Sequence, residues 1–242
     1  MSERVLLVED DPSIARFVAM ALEDLPIDLV ICTRVAAALH VLRVKPVRLL
    51  ITDLMLPGES GMSLLETLRD QPALRQDALL VAFSAGLNPE IRQKLEALQV
   101  WRILSKPVSV VALEACVCDA LQFKAGAPHA PAHVKDDLTP EERRAINAHF
   151  AGDVVLFLAY RDSCFNQFAH DRLGGDRALA AQDAPALRRL AHSLATVLQT
   201  LGFQEAGAVA LGLETAAEKA DLQGMADGWA QLRPCLASRR ES

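Results

Sequence analysis

The sequence contains no apolar run long enough to cross a bilayer, which takes about 20 consecutive residues in a helix. Residues 1–4 lead directly into an apolar segment, without the charged n-region and small-residue cleavage site of a signal peptide. Five cysteines are present, and none of them belongs to a C-x-x-C pair. We therefore expect no membrane contact, and free thiols in a reducing cytoplasm.

An excess of basic residues is also missing. The 242 residues carry 25 Lys and Arg against 31 Asp and Glu, a net charge of −6. Residues 1–123 hold 12 basic against 16 acidic residues, and residues 124–242 hold 13 against 15. Nucleic-acid-binding proteins normally present a cationic surface, so a nucleic acid is not an expected partner of either half.

In residues 1–123, short apolar runs alternate regularly with helical patterns. The predicted strands are Val5–Val8, Leu29–Cys32, Leu49–Thr52, Leu79–Phe83 and Val100–Leu104, and the predicted helices lie at about 12–23, 35–44, 62–70, 88–98 and 108–122. Strict alternation predicts a parallel sheet that is covered on both faces. Five such units predict a flavodoxin-like, doubly wound α/β domain.

The alternation stops at residues 124–138, which are small, Pro-bearing and without periodicity, as in a linker. Thr139, Pro140 and Glu142 then form a helix-start signal, with a capping box and proline at the first helical position. Residues 139–242 show no convincing strand. Helical patterns run at about 140–150, 152–172, 184–201, 203–219 and 221–237, with Gly174-Gly175 and the Gln182-Asp183 turn between the second and third. Four or five such helices predict an all-α bundle.

Polar side chains follow four of the five predicted strands. The C-terminal ends of parallel strands share one edge of a sheet, so we expect these side chains to lie in one crevice. They are Glu9, Asp10 and Asp11 after the first strand, Asp53 after the third, Ser84 after the fourth and Lys106 after the fifth.

This set of side chains suits phosphoryl transfer. Clustered carboxylates repel one another unless a cation joins them, and oxygen ligands of this kind favour Mg²⁺. Mg²⁺ and one Lys can neutralise a transferring phosphoryl group, and a carboxylate can accept it as an aspartyl phosphate. Asp53 ends the most apolar strand and is the best-placed acceptor. A single acid at a strand end often only caps the next helix, but that does not account for the whole set in this order.

The motifs resemble the receiver domain of two-component response regulators. They are VLLVEDDP at residues 5–12, DLMLPG at 53–58, SA at 84–85 and KPV at 106–108. The resemblance implies phosphorylation of Asp53 by a sensor histidine kinase, with Ser84 and Lys106 binding the phosphoryl group and a cis Lys106–Pro107 peptide. It also implies a Mg²⁺ site formed by Glu9 (through water), Asp10, Asp53 and the carbonyl of Met55.

One position departs from the receiver pattern. The family usually has an aromatic residue three places before the Lys, and this sequence has Ile103 there, with Trp101 two places further back. In the family, that aromatic side chain rotates together with the hydroxyl side chain at the position that Ser84 occupies here. The departure therefore bears on coupling to the surface of the fourth helix, fifth strand and fifth helix, rather than on phosphorylation.

In the second half, His192 lies outside the apolar stripe of its predicted helix, so we expect it to be exposed. The stripe consists of Leu187, Leu190, Ala191, Leu194, Val197, Leu198 and Leu201. The helix-face neighbours of His192 include Arg188 and Arg189, one turn earlier. Spacing alone leaves open whether His192 is an ordinary surface histidine or a functional one.

The string APALRRLAHSLATVLQTLG at residues 184–202 resembles the histidine-containing phosphotransfer (Hpt) domain, a four-helix bundle with an exposed phospho-accepting histidine. The resemblance implies that His192 accepts a phosphoryl group, as a neutral imidazole can. Hpt domains usually carry Lys three places after the histidine and Gly one further on, where this sequence has Ala195 and Thr196. We expect Arg188 or Arg189 to supply the missing charge, and Thr196 to add bulk where a partner docks.

Two hypotheses follow. In the first, the chain is a phosphorelay protein: Asp53 accepts a phosphoryl group from a sensor histidine kinase, and His192 exchanges one with its own or another protein's receiver, or with another Hpt protein. In the alternative, the bundle is a non-transferring Hpt-like docking module and the chain is a phosphorylation-gated binding regulator. Residues 124–242 contain no motif of a catalytic output, and no ATP-binding glycine-rich segment is found. We therefore expect no enzyme activity beyond the receiver's own phosphorylation and dephosphorylation.

Overall fold

A computed structural model describes residues 3–122 and 138–237 of the chain. The chain divides into two compact units, Met1–Pro128 and His129–Ser242. Apart from residue 138, the predicted linker lies outside the described residues. Within the two described ranges, none of the helices combines the length and the apolarity that are needed to cross a bilayer.

The first unit is built on a five-stranded parallel sheet in the order β2-β1-β3-β4-β5. The strands are β1 Glu3–Val8, β2 Ile27–Cys32, β3 Leu49–Asp53, β4 Leu79–Ser84 and β5 Arg102–Ser105. Every residue of β3 is buried, as expected for a central strand that is covered on both faces. The predicted doubly wound α/β fold is confirmed.

Six helices connect and flank these strands: α1 Pro12–Ala21, α2 Val35–Val44, α3 Gly61–Asp70, α4 Pro72–Arg75, α5 Pro89–Ala97 and α6 Val110–Leu121. The sequence patterns did not indicate the single turn α4. Side-chain caps begin α1, α3, α5 and α6, through Asp11, Ser60, Asn88 and Ser109. These caps satisfy backbone N–H groups at the points where the chain leaves the C-terminal edge of the sheet.

The second unit is all-helical, with α7 Pro140–His149, α8 Val154–Ala180, α9 Ala184–Thr200, α10 Gln204–Glu218 and α11 Leu222–Cys235. The predicted capping box is present: Thr139 accepts from the Glu142 backbone N–H, and the Glu142 side chain accepts from Thr139 N–H. Helices α8 to α11 each contact the next, and α11 returns to α8, so they form a four-helix bundle. Helix α7 packs against α9.

The predicted break at Gly174-Gly175 is wrong, because α8 continues through both glycines to Ala180. The reason is a tertiary contact. A Cβ atom at Gly175 would overlap the ring of Trp229, which is buried against this point of α8. The ring Nε1 of Trp229 donates a hydrogen bond to Asp176 Oδ1 at 2.9 Å. Gly175 is therefore a packing position between α8 and α11, where glycine's low helix propensity is outweighed.

Candidate functional site

The C-terminal edge of the sheet brings together the polar residues predicted to meet there. Lys106 Nζ donates to Asp53 Oδ2 at 2.7 Å and to Glu9 Oε2 at 2.6 Å. The side chains of Lys106 and Glu9 are fully buried, and that of Asp53 is 3 % exposed. One ammonium group therefore bridges carboxylates from β3 and from the end of β1.

Backbone groups hold the same cluster in place. Asp53 Oδ1 accepts a hydrogen bond from Met55 N–H at 2.9 Å, which orients the carboxylate. Lys106 N–H donates to the carbonyl of Ser84 at 3.0 Å, so the ends of β4 and β5 are joined beside the site. The Lys106–Pro107 peptide is cis, as predicted. Ser84 is buried at the end of β4, one residue beyond Phe83, which pairs with Asp53 across the sheet. Its role in binding a phosphoryl group stays a prediction.

Asp11 serves mainly as a helix cap. Its Oδ1 accepts from the backbone N–H groups of Ser13 and Ile14, both at 2.9 Å, at the start of α1. Its own N–H donates to Glu9 Oε1 at 3.2 Å. Of the three consecutive acids after β1, Glu9 and Asp10 remain for the site.

The carboxylates form a cluster that suits a divalent cation. Ligand oxygens of Glu9, Asp10 and Asp53 all lie within 4.8 Å of one another. Burial and the charge of Asp53 raise the pKa of Asp10 to about 6, and burial raises the pKa of Glu9. Burial alone would lower the pKa of Lys106, but the two carboxylates raise it above its ordinary value. One ammonium faces three acids, so a hard dication fits the remaining negative charge. The Met55 carbonyl as a ligand stays a prediction.

The raised pKa of Asp10 predicts a pH-dependent cost to stability. Folded Asp10 holds its proton more tightly than the unfolded chain, so in metal-free buffer stability falls as pH rises from about 4 to 6. Allowing for solvent screening at this half-exposed carboxyl, Asp10→Asn is expected to stabilise the receiver unit by about 1–2 kcal/mol at pH 7.

At pH 4 the same substitution is expected to be nearly neutral. Calorimetry of the full chain at both pH values tests this, with the receiver transition identified by its shift when Mg²⁺ is added. The exposed acid Asp77, at the opposite end of β4, provides a control as Asp77→Asn. The prediction would be contradicted if Asp10→Asn and Asp77→Asn stabilised the receiver unit equally at pH 7, or if the stabilisation by Asp10→Asn did not depend on pH.

The position of the missing aromatic residue is filled by an aliphatic side chain. Ile103 is partly buried against the hydrophobic core of the sheet. Trp101 is 37 % exposed, and its backbone N–H donates to Leu80 O near the start of β4. Its ring lies 4.3 Å from the Arg102 guanidinium. Trp101 is thus near the edge of the sheet opposite Ser84 and does not substitute for the missing aromatic residue.

His192 lies on α9 as predicted, but the expectation that it is exposed is wrong: only 4 % of its surface is accessible. The physical reason is that three helices, α7, α8 and α10, contact α9, so that more of its surface is buried than the apolar stripe alone. Gly207 allows α10 to approach closely, because a Cβ atom there would clash with the Gln199 side chain. The same contact brings Glu214 to the histidine, with His192 Nδ1 at 3.0 Å from Glu214 Oε1.

The other ring nitrogen of His192, Nε2, is buried and has no hydrogen-bond partner within the described residues. A buried polar atom without a partner costs about 1–3 kcal/mol, which marks a site that is not optimised for stability alone. Ala195 and Thr196 are also buried. The expectation that Thr196 adds bulk to a docking surface is therefore wrong, because its side chain lies inside the packed bundle.

The two arginines before His192 differ in their surroundings. Arg188 Nη2 donates to Glu218 Oε1 at 3.0 Å, one turn along the α9–α10 contact from the His192–Glu214 pair. Arg189 is half-buried and forms no hydrogen bond or ion pair with any described residue. At 100° per residue, Arg189 lies on the flank of His192 that faces away from Arg188. Arg189, one turn before His192 on α9, is thus a cation without a partner among the described residues.

Sequence reasoning missed the role of Glu214. Spacing within α9 carries no information about which residue of α10 faces the histidine. The antiparallel register of α9 and α10 supplies that information, because the Arg188–Glu218 and His192–Glu214 contacts are four residues apart on each helix. Glu214 could have been found only by assuming that register.

Comparisons with known proteins agree with this division. The family model of the response regulator receiver domain matches residues 5–117, and that of the Hpt domain matches residues 161–241. Sensor histidine kinase TmoS of Ectopseudomonas mendocina is 33 % identical over 121 residues, which cover 50 % of this chain and only 12 % of that protein.

Solved receivers also match the first half. Chemotaxis response regulator CheY4 of Vibrio cholerae is 21 % identical, with 50 % of this chain and 99 % of that chain covered and a TM-score of 0.46. The receiver domain of a signal transduction histidine kinase from Syntrophus aciditrophicus is 22 % identical, with 55 % and 100 % covered and a TM-score of 0.46. Together with the two family models, the strand-end site and the helical bundle identify this chain as a response regulator receiver domain joined to an Hpt domain.

Proposed function

We propose that the chain is a phosphorelay protein of two-component signalling. In this proposal Asp53 accepts a phosphoryl group from a phosphohistidine of a sensor histidine kinase. His192 exchanges one with a receiver of the same or another protein, or with a further Hpt protein through such a receiver. The observation that supports it most is the buried Asp53–Lys106–Glu9 cluster on the same chain as a bundle that carries His192, whose Nε2 has no partner in the part of the chain that the structure describes.

The proposed boundaries are a receiver at residues 1–123, a linker at 124–138 and an Hpt-like domain at 139–242. All five cysteines are free and four are buried, which supports a reducing cytoplasm as its location. The negative charge of both halves gives no support to a nucleic-acid partner.

At the receiver site, an oxygen of Asp53 attacks phosphorus while the bond from phosphorus to the donor imidazole breaks, and the electron pair leaves with the imidazole. Lys106 neutralises charge on the phosphoryl oxygens, and Ser84 donates a hydrogen bond to one of them. Met55 N–H keeps the carboxylate oriented throughout. Glu9, Asp10 and Asp53 would hold Mg²⁺, which supplies further positive charge to the phosphoryl group.

Chemical stability of the phosphorylated protein tests the proposal. The full chain is labelled with its sensor kinase and, separately, with a phosphorylated partner receiver. An acyl phosphate is lost in base, whereas phosphohistidine survives base and is lost in acid. We expect a base-labile label on Asp53 and a base-stable label that disappears in His192→Ala. If no base-stable label forms from either donor, the bundle is a docking module and the alternative hypothesis replaces the relay.

The contacts of the two arginines predict which of them supports the phosphohistidine. Arg189 has no partner within residues 3–122 and 138–237 and lies one turn before His192 on α9, whereas Arg188 donates to Glu218. Loss of one charge-assisted contact to the phosphoryl group is expected to slow transfer to His192 by about tenfold in Arg189→Ala. Arg188→Ala serves as the matched control and should change the rate by less than about threefold. Single-turnover transfer from a phosphorylated receiver measures both rates, and the reverse order would contradict the assignment.

A further inference from the structure

We propose that Phe83 is a positioning residue of the receiver site: the face of its ring holds the Lys106 ammonium beside Asp53 by a cation–π contact. Lys106 Nζ lies 4.6 Å from the centroid of the ring, a distance at which a ring face attracts a cation. This inference rests on the proposed function, because it concerns how Lys106 is held for phosphoryl transfer to Asp53. It adds to the site a side chain that carries no polar group.

The sheet places the ring of Phe83 beside the phosphoryl acceptor. Phe83 is the last residue but one of β4, and it pairs with Asp53 of β3 and with Leu104 of β5. Successive side chains of a strand point to opposite faces, so paired residues of parallel neighbours share a face. Ala82, the residue before Phe83, belongs to the core cluster on the other face. Phe83 is therefore on the face that carries Asp53, and it is only 1 % exposed.

The ammonium of Lys106 is held by charge and by the ring together. An ammonium has three N–H donors, and Lys106 forms hydrogen bonds to Glu9 Oε2 and Asp53 Oδ2. The ring face of Phe83 is its third neighbour of opposite polarity. The side chain of Lys106 is fully buried, and a cation–π contact is strongest where the cation has lost its water. We therefore expect the ring to fix the position of Nζ.

The ring contact does not depend on the charge that moves during transfer. An oxygen of Asp53 forms the new bond to phosphorus while the bond from phosphorus to the donor breaks, and the donor leaves with the electron pair. The negative charge that Lys106 faces thus moves from the carboxylate to the phosphoryl oxygens. The ring attracts the ammonium equally before and after this step. Phe83 therefore keeps Lys106 at the strand end where the phosphoryl oxygens arrive.

Fluorination of the ring separates this role from simple filling of the core. Fluorine withdraws electrons from the ring face and weakens its attraction for a cation, but it changes the size of the ring little. The test uses the full chain with Phe83→monofluorophenylalanine, Phe83→difluorophenylalanine and Phe83→trifluorophenylalanine. The same three substitutions at Phe17, a buried ring on α1 of the same unit, provide the matched control.

The first measurement needs neither phosphate nor metal. In the metal-free chain with ¹⁵N-labelled lysine, relaxation of the Lys106 Nζ signal measures how tightly the ammonium is fixed, with Lys106→Arg used to assign the signal. We expect the order parameter of this group to fall stepwise as fluorines are added at Phe83. The Phe17 series should leave the order parameter unchanged.

The second measurement is labelling by acetyl phosphate and Mg²⁺, in which acetate leaves with the electron pair. We expect the rate constant to fall stepwise along the Phe83 series, to about a tenth of the wild-type value with three fluorines. The Mg²⁺ concentration for half-maximal labelling should stay the same. Phe83→Leu, which removes the ring face, should slow labelling at least as much, and the Phe17 series should label like the wild type.

Rate constants and order parameters that stay constant along the Phe83 series would overturn the inference. A loss of rate that follows the thermal stability of the receiver unit, and not the number of fluorines, would overturn it as well. A wild-type chain in which the order parameter responds to the Phe83 series, but which takes no label from any donor, would instead count against the proposed function.

Discussion

Replacing Asp53 with Asn is expected to abolish labelling of the receiver by acetyl phosphate and Mg²⁺. Asparagine keeps the size of the side chain and an oxygen that can accept from Met55 N–H, but it removes the nucleophilic carboxylate. The other acids do not replace it. Glu9 is fully buried against Lys106, and Asp11 caps α1. We therefore expect the base-labile label to fall by at least about 100-fold, without unfolding of the receiver.

Two controls make this result specific. Asp77→Asn removes a carboxylate from the opposite end of β4 and should label like the wild type. Thermal unfolding of Asp53→Asn should show a receiver that is at least as stable as the wild type, because one of the mutually repelling acids is gone. A base-labile label that persists in Asp53→Asn would show that another residue accepts the phosphoryl group, and the receiver site assigned here would be wrong.

The receiver site was predictable from the sequence because a parallel sheet converts order along the chain into position in space. The strands of the first unit are short and mostly apolar, and four of the five lead into a polar residue of the predicted site. The edge on which Asp53 and Lys106 meet therefore follows from the topology. The alternation also identified each strand to within three residues at its ends. What spacing did not reveal is that Lys106 bonds to both Glu9 and Asp53, since that depends on side-chain conformations at the completed edge.

The sequence predicted the helices and their assembly into a bundle, but not which residues of neighbouring helices face one another. The periodicity of α9 identifies the stripe that packs most deeply, but burial of His192 and Thr196 results from α10, whose orientation no pattern within α9 encodes. Small residues such as Gly207 on α10 make that approach possible, and they carry little hydrophobic signal of their own. The site residue Glu214 was missed for the same reason.

The wrongly predicted break at Gly174-Gly175 has the same cause, because the pattern within α8 does not encode its contact with α11. We therefore expect alanine substitutions at these two adjacent glycines to change the stability of the bundle in opposite directions. Gly175→Ala is expected to destabilise the bundle by about 1–3 kcal/mol, because its methyl group would overlap the buried ring of Trp229 and push α11 away from α8. Gly174→Ala is expected to stabilise it by about 0.5–1 kcal/mol, because nothing lies within 4 Å of the added carbon and alanine favours the helix.

Urea unfolding followed through Trp229 fluorescence measures both effects, with Trp101→Phe in every protein so that Trp229 is the only tryptophan. Loss of the Trp229–Asp176 hydrogen bond in Gly175→Ala should also alter the emission of the folded state, whereas Gly174→Ala should leave it unchanged. Equal effects of the two alanines would show that helix propensity alone decides stability at this point of α8. A loss of stability in Gly175→Ala alone would show that tertiary packing decides stability there, because the two substitutions add the same methyl group one residue apart.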